Sequence, residues 1–139
     1  MSQENVDTVR RIYEAFGEGD FARALEDADP DFEWIPPERD LQGPVQGLED
    51  LRRFLEDQNE SFKDLRVEAE ELQEHGDQVL ALIRVRGEGR ASSVGFDIRA
   101  ATLWTFRGDR LIRGRVFPER EKALEAVGLA GEGGDCGMR

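Results

Sequence analysis

The sequence is poor in the residues on which disulfide, metal and triad chemistry depend. It contains one cysteine, Cys136, and one histidine, His75. One cysteine excludes an internal disulfide, and one histidine leaves too few ligands for a Cys/His metal site. A Ser-His-Asp triad is not supported either, because the single histidine lies in a turn-like His-Gly-Asp. We therefore expect neither a metal nor an organic cofactor.

Long apolar runs and a basic leader are missing as well. No apolar run approaches the roughly 20 residues that a membrane-spanning helix needs, and residues 1–5 lack the basic and apolar parts of a signal peptide. The 31 acidic residues exceed the 19 basic ones, giving a formal charge of -12 that a phosphate backbone would repel. These absences predict a cytoplasmic protein that binds neither membranes nor nucleic acids.

The charges are distributed unevenly along the chain. Residues 1–75 hold 22 acidic and 8 basic side chains, whereas residues 78–117 hold 3 acidic side chains and 8 arginines. Two interpretations stay open for the strand arginines, which include Arg84, Arg86, Arg99, Arg113 and Arg115. They pair with acids on neighbouring strands or on a partner subunit, or they line a site for an anionic or carbonyl-bearing ligand.

The apolar pattern of residues 79–117 predicts three antiparallel strands, over residues 79–86, 93–106 and 111–117. Turn signals around Gly87 and Gly108 separate them. Such a sheet needs a cover, which the N-terminal half supplies through three helices, at residues 2–16, 21–27 and from 47 onward. Strands are expected at 31–35 and from 65, the latter with a bulge near Glu71.

Two further segments complete the expected organisation. The loop 36–46, with Glu38 and Asp40, is a candidate lid. A short C-terminal helix is expected to start at Pro118 and to end at Gly128. The sequence thus predicts a single domain over residues 1–129 and a disordered Gly-rich tail over 130–139. Its fold class is α+β: a cone-shaped, bent antiparallel (mixed) sheet covered by three N-terminal helices, plus the short C-terminal helix. The apolar interior of such a cone is a natural small-molecule site.

Four stretches in this order resemble the nuclear transport factor 2-like superfamily, in its SnoaL-like and ketosteroid isomerase-like branch. They are Asn5-Val6-Asp7-Thr8-Val9-Arg10-Arg11-Ile12-Tyr13-Glu14-Ala15-Phe16, Gly47-Leu48-Glu49-Asp50-Leu51-Arg52-Arg53-Phe54, Leu103-Trp104-Thr105-Phe106-Arg107-Gly108-Asp109-Arg110-Leu111-Ile112-Arg113 and Glu121-Lys122-Ala123-Leu124-Glu125-Ala126-Val127-Gly128-Leu129. The resemblance implies this fold, a homodimer formed through the outer sheet face, and proton abstraction or epoxide opening inside the cone without a cofactor.

The resemblance also implies candidate catalytic residues. The positions that match the ketosteroid isomerase base and its acidic oxyanion-hole residue, at Trp34-Ile35-Pro36 and near Thr102, hold no carboxylate. Asp97 is the nearest match to the carboxylate that SnoaL-like cyclases carry on a late strand, with Arg99 beside it and Tyr13 on the first helix. Asp97 has the opposite parity to Val94, Phe96 and Ile98, so it points either outward or into the cone. Burial would raise its pKa and make it a base, whereas an arginine partner would lower the pKa and indicate a structural ion pair.

Candidate ligand-binding residues are Trp34, Phe16, Phe54, Arg84 and Trp104, with Trp34 favoured as a wall beside the loop 36–46. Two functions remain: a cofactor-free isomerase, cyclase or epoxide hydrolase acting on a small hydrophobic carbonyl- or epoxide-bearing molecule, or a non-catalytic module for ligand binding or dimerisation. A carboxylate within reach of a bound molecule favours the enzyme, and a purely aromatic lining favours the binder.

Overall fold

A computed structural model describes residues 2–36 and 44–135, with side chains over residues 4–36 and 44–127. The described elements are α1 (Ser2–Gly17), α2 (Phe21–Ala24), β1 (Ala28–Ile35), β2 (Val45–Gln46), α3 (Leu48–Ser61), β3 (Phe62–His75), β4 (Gln78–Gly89), β5 (Gly95–Arg107), β6 (Arg110–Phe117) and α4 (Arg120–Asp135). Apart from the two-residue β2, this is the predicted order of elements.

The six strands form one bent, open sheet in the order β2-β1-β6-β5-β4-β3. The hairpins β3–β4, β4–β5 and β5–β6 are antiparallel, and so is β1–β2. Among the strands of residues 2–36 and 44–135, only β1 and β6 pair in parallel. The mixed α+β architecture expected from the sequence is confirmed.

Two of the three hairpin turns form where the sequence indicates them. The third was predicted around Gly87 but lies beyond Gly89, because Gly87 and Gly89 are paired inside β4. Gly76 and Gly108 have φ angles of 65° and 66°, a conformation that glycine adopts without the strain a Cβ brings. The predicted bulge in β3 is confirmed, since the register with β4 shifts between Ala69 and Glu71. It moves Leu72 onto the same sheet face as Val67 and Ala69, which pack against one apolar core.

The sheet has two apolar cores, one on each face. On the inner face, α1 packs against β3 and β4, and α3 packs against β1, β2 and β3. The core there includes Val79, Ala81 and Trp104. On the outer face, α4 places Ala123 and Val127 against a second cluster formed by Leu80, Leu82, Ala101, Leu103 and Phe117. The helices therefore lie on both faces, with the three N-terminal ones on the inner side.

Several boundaries differ from the sequence prediction. The short helix α2 ends at Ala24 rather than at residue 27, because β1 already begins at Ala28 to pair with β6. The strand β2 was not predicted. Helix α4 continues to Asp135, beyond the expected end at Gly128, so helical backbone covers the first part of the segment 130–139. The division of the chain at residue 129 stays a prediction, and Glu38 and Asp40 of the candidate lid lie outside the described residues.

Candidate functional site: an apolar cavity between helices and sheet

A cavity of about 300 Å³ lies between the N-terminal helices and the inner face of the sheet. We call it the inner cavity. Its aromatic wall consists of Tyr13, Phe16, Phe21, Trp34, Phe54 and Trp104, and its aliphatic wall of Leu55, Leu65, Val67, Ile83, Val85 and Val116. Gln58, Asn59 and Thr102 add polar atoms. A hollow of this size and lining is typical of small-molecule sites.

Local sequence patterns bring these side chains together. Tyr13 and Phe16 are three residues apart on α1, so they lie on the same helix face. Phe54 and Gln58 are four residues apart on α3, and Leu55 and Asn59 repeat that spacing. On β4 the period of two places Ile83 and Val85 on the inner face, while Leu82 and Arg84 point to the outer one.

The aromatic side chains form a continuous series along the wall. The ring centroids of Phe21 and Phe16 are 6.0 Å apart, those of Phe16 and Tyr13 6.2 Å, and those of Tyr13 and Trp104 6.0 Å, all edge to face. Trp34 follows with its centroid 5.7 Å from that of Trp104. Edge-to-face pairs contribute about 0.5–1.5 kcal/mol each beyond the area they bury, so this wall is well defined in shape.

Gly114 allows the two tryptophans to meet. It pairs with Trp34 on β1 and with Trp104 on β5. A Cβ at position 114 would lie 2.9 Å from the Cε3 and Cζ3 atoms of Trp34 and 3.1 Å from Cζ3 of Trp104. Both indoles thus pack on the bare backbone of β6, and no other residue type fits there without displacing a ring.

Tyr13 is the ionisable group in the described lining of the inner cavity. Its hydroxyl accepts a hydrogen bond of 3.1 Å from the indole Nε1–H of Trp104. Burial raises the pKa of Tyr13 to about 12, although hydrogen bonding to Thr102 and Trp104 partly offsets the shift. Near neutral pH the phenol is therefore protonated. It accepts from Trp104 and keeps its own proton for another acceptor.

Four of the strand arginines lie on the outer face and pair with acidic residues of the same chain. Arg84 binds Asp97 through two hydrogen bonds of 2.8 and 2.5 Å, and these bonds hold the pKa of the Asp97 carboxyl below its usual value. The further outer-face pairs are Arg86 with Glu68, Arg99 with Glu70, and Arg113 with Glu33. Arg115 instead lies over the ring of Phe117, 4.6 Å from its centroid.

Comparisons with known proteins identify the family. A model of the SnoaL-like domain matches residues 9–114. The chain belongs to the SnoaL-like domain family. A comparison with curated proteins finds no match.

Solved structures show the same fold at low sequence identity. An NTF2-like protein of unknown function from Burkholderia pseudomallei is 21% identical with a TM-score of 0.76, covering 89% of this chain and 97% of that one. TerC, co-crystallized with polyporic acid, is 21% identical with a TM-score of 0.74, over 89% and 98% of the two chains. A candidate SnoaL-like polyketide cyclase from Jannaschia sp. CCS1 is 25% identical with a TM-score of 0.75, over 91% and 92%.

Most of the residues predicted to bind a ligand line the inner cavity of this SnoaL-like domain. Tyr13, which was predicted as catalytic, does so too, together with Phe16, Trp34, Phe54 and Trp104. Arg84 does not, because it lies on the outer face with Asp97. Arg99 is likewise on that face, paired with Glu70. The catalytic role predicted for Asp97 and Arg99 stays a prediction, and their position outside the cavity lining gives it no support.

The polar part of the lining was not assigned to the site from the sequence, although Thr102 was named as the position near the oxyanion-hole residue of ketosteroid isomerase. Gln58 and Asn59 stand one helical turn after Phe54 and Leu55, and this spacing alone was a usable signal. Thr102 is 1% exposed and faces Tyr13, but its burial depends on the strands on both sides. The sequence also contained a signal for Gly114, because an isolated glycine inside a strand pattern indicates that other groups approach the backbone closely.

The described residues also bear on metal binding and on membrane insertion. Within them, no three His, Cys, Asp or Glu side chains come together as metal ligands would. In the same part of the chain, no helix has the length and apolar character needed to cross a membrane. The cytoplasmic location stays a prediction.

Proposed function

We propose that this SnoaL-like domain binds an uncharged, mainly apolar small molecule in the inner cavity. The observation that carries the proposal is a hollow of about 300 Å³ whose described walls are aromatic and aliphatic. Tyr13 is the one ionisable group in this lining, and its raised pKa of about 12 keeps it neutral. A charged ligand would lose its hydration without gaining a counter-charge from these walls, which is strongly unfavourable.

The lining favours binding over catalysis by a carboxylate base. No carboxylate belongs to the described residues that line the inner cavity. Asp97, the acid predicted for this role, is held by Arg84 on the other face, and its lowered pKa makes it a weaker base. TerC, which has a similar fold, was co-crystallized with polyporic acid, and this supports a small-molecule site in the fold.

Ligand binding is tested with 2-naphthol as a neutral aromatic probe. A ligand present at 100 times its Kd raises the apparent free energy of unfolding by about 2.7 kcal/mol, which a thermal-shift assay detects. Val67→Trp fills the inner cavity and is expected to abolish the shift. Val94→Trp, the same change at a residue that is 64% exposed and outside the lining, is expected to keep it. Equal shifts in both variants would place the probe elsewhere.

A second candidate function, catalysis on a ketone, is favoured by one observation. Tyr13 presents a neutral phenol in the cavity wall, and such a donor stabilises the oxyanion that forms when hydroxide from solvent takes a proton from the carbon next to a carbonyl. The test follows exchange of the methyl protons of 2-acetylnaphthalene with D2O by NMR. Protein-dependent exchange that Tyr13→Phe removes would support catalysis, and the Asp97→Asn variant tests the base predicted from the sequence. Binding without exchange would leave the module non-catalytic.

We also propose that the chain forms a homodimer through the outer sheet face, as the family resemblance implies. Part of that face is covered by α4, and the rest carries the arginine pairs described above, so its charges are already balanced within one chain. Sedimentation at micromolar concentration is expected to give a dimer. A monomer under those conditions contradicts the proposal.

A further inference from the structure

We infer that the ligand of the inner cavity is elongated and carries a hydrogen-bonding group at each end, one bound by Tyr13 and the other by Gln58. This inference rests on the proposed binding function and narrows its ligand class. Its basis is that the described polar groups of the lining fall into two sets, with apolar side chains between them.

The first set lies deep in the fold. Tyr13 is 7% exposed, Trp104 2% and Thr102 1%. Because the Tyr13 hydroxyl already accepts the indole N–H of Trp104, it is best placed to act as a donor toward a ligand. This end of the cavity therefore suits a carbonyl, ether or hydroxyl oxygen.

The second set lies on the last turn of α3. Gln58 and Asn59 line the cavity there, and neither side chain makes a hydrogen bond within the described part of the chain. Gln58 is half-buried, whereas Asn59 is exposed, so Gln58 is the better candidate for contact with an enclosed ligand. An amide presents both a donor and an acceptor, so it can pair with a hydroxyl or with another amide.

The strand register separates the two sets. Helix α3 runs directly into β3 at Phe62, so its last turn lies near Leu65 and Val67. Val67 pairs with Val85, and Val85 pairs with Ile98 on β5. Thr102 is four residues further along β5, which is roughly 13 Å at 3.3 Å per residue.

The span between the two ends is apolar. Val67, Ile83 and Val85 line it from the sheet, and Phe54 and Leu55 line it from α3. A molecule with a single polar group would pair at one end only. A molecule with a polar group at each end of an apolar body satisfies both, and each additional hydrogen bond contributes about 0.5–1.5 kcal/mol.

The test compares the affinities of biphenyl, 4-hydroxybiphenyl and 4,4′-dihydroxybiphenyl, measured by quenching of tryptophan fluorescence at pH 7. We expect the second hydroxyl to tighten binding by roughly three- to tenfold, which corresponds to one hydrogen bond. In Gln58→Leu this gain should disappear while 4-hydroxybiphenyl binds as before. Gln46→Leu, the same change at an exposed residue of β2 outside the lining, should keep the gain. Tyr13→Phe should weaken both phenols by a similar factor.

The outcomes separate this inference from the proposed function. If the diol binds no tighter than 4-hydroxybiphenyl, or if its advantage survives in Gln58→Leu, the two-ended ligand is excluded and apolar binding stands. If none of the three probes binds, the binding function fails and this inference fails with it. Gln58→Met, which keeps the length of the side chain but removes the amide, should reproduce the loss seen with leucine.

Discussion

The indole ring of Trp34 packs directly on the backbone of Gly114. The two residues pair across β1 and β6, and the nearest ring atoms would be only 2.9 Å from a Cβ at position 114. Trp104 approaches the same position from β5, and its Cζ3 atom would lie 3.1 Å from that Cβ. The shape of the aromatic wall therefore depends on the absence of a side chain at position 114.

Gly114→Ala is expected to displace Trp34 and to lower the free energy of unfolding by about 1–3 kcal/mol, the usual cost of overpacking a core. It should also change the near-UV circular dichroism of the tryptophans and weaken binding of 2-naphthol. Gly95→Ala is the matched control, because a Cβ there meets nothing closer than 3.8 Å. Urea unfolding measures the free energy of unfolding of both variants. Equal stability of the two variants would show that the aromatic side chains rearrange at little energetic cost.

The second prediction concerns Tyr13, the only tyrosine of the chain. Burial raises its pKa from 10.0 to about 12, so the folded state holds the phenol proton more tightly than the unfolded state does. The resulting stabilisation is complete below pH 10 and is lost as the pH rises through 12. At most it is on the order of 2–3 kcal/mol.

Two measurements test this dependence. The absorbance change at 295 nm, which reports tyrosine ionisation, should have its midpoint well above 10 in the native protein and near 10 in urea. The stability difference between the wild type and Tyr13→Phe should also shrink between pH 10 and 12. A native midpoint near 10 would mean that solvent reaches the hydroxyl freely.

The third prediction concerns the ion pair of Arg84 and Asp97. Hydrogen bonding to Arg84 lowers the pKa of Asp97, so the pair stabilises the fold at neutral pH and this contribution is lost as the pH falls through the lowered pKa. Asp97→Asn should therefore lower the melting temperature at pH 7, with a difference that fades in acid. Binding of 2-naphthol should not change, because the pair lies on the outer face.

Asp109→Asn provides the control for that experiment. Asp109 is exposed in the turn before β6 and forms no ion pair within the described residues, so its variant should melt like the wild type. If Asp97→Asn weakened ligand binding and Asp109→Asn did not, the result would support the catalytic or binding role that the sequence suggested for Asp97.

The fourth prediction concerns the attachment of α4. The Arg120 guanidinium donates to the backbone carbonyls of Ala100 and Ile83, at 3.1 and 2.8 Å, and to the Glu70 carboxylate at 2.6 Å. Arg120→Ala removes all three bonds and should destabilise the fold by about 1–3 kcal/mol. In amide hydrogen exchange, the backbone amides of α4 should lose their protection before those of the other elements. Lys122→Ala, at an exposed position two residues on, should leave the protection unchanged.

Elements with local causes were predictable from the sequence. Helix α1 follows from apolar residues at helical spacing, and two of the three hairpins follow from Gly76 and Gly108 between alternating strands. The bulge near Glu71 followed from the break in the period of two. In each case the pattern and the structure it specifies lie within a few residues of one another, so no distant contact was needed.

The sequence predictions were wrong for elements whose formation depends on residues distant in the sequence. Val45 and Gln46 become strand β2 only because β1 is available as a partner. Helix α2 is cut short because Ala28 pairs with Leu111 of β6. Neither partner is adjacent in sequence, so local propensity had no information about them.

The amino-acid sequence by itself determined the order of the elements, the α+β class, and the division of each strand into two faces, because these depend on periodicities of 3.6 and 2. Only the tertiary structure decided which face became the wall of a cavity. The first three helices cover the face of Ile83 and Trp104, and α4 packs on the other, so Tyr13 became a buried phenol and Asp97 a surface ion pair. The alternation of a strand separates its two faces, but the helices that pack on these faces give each one its environment.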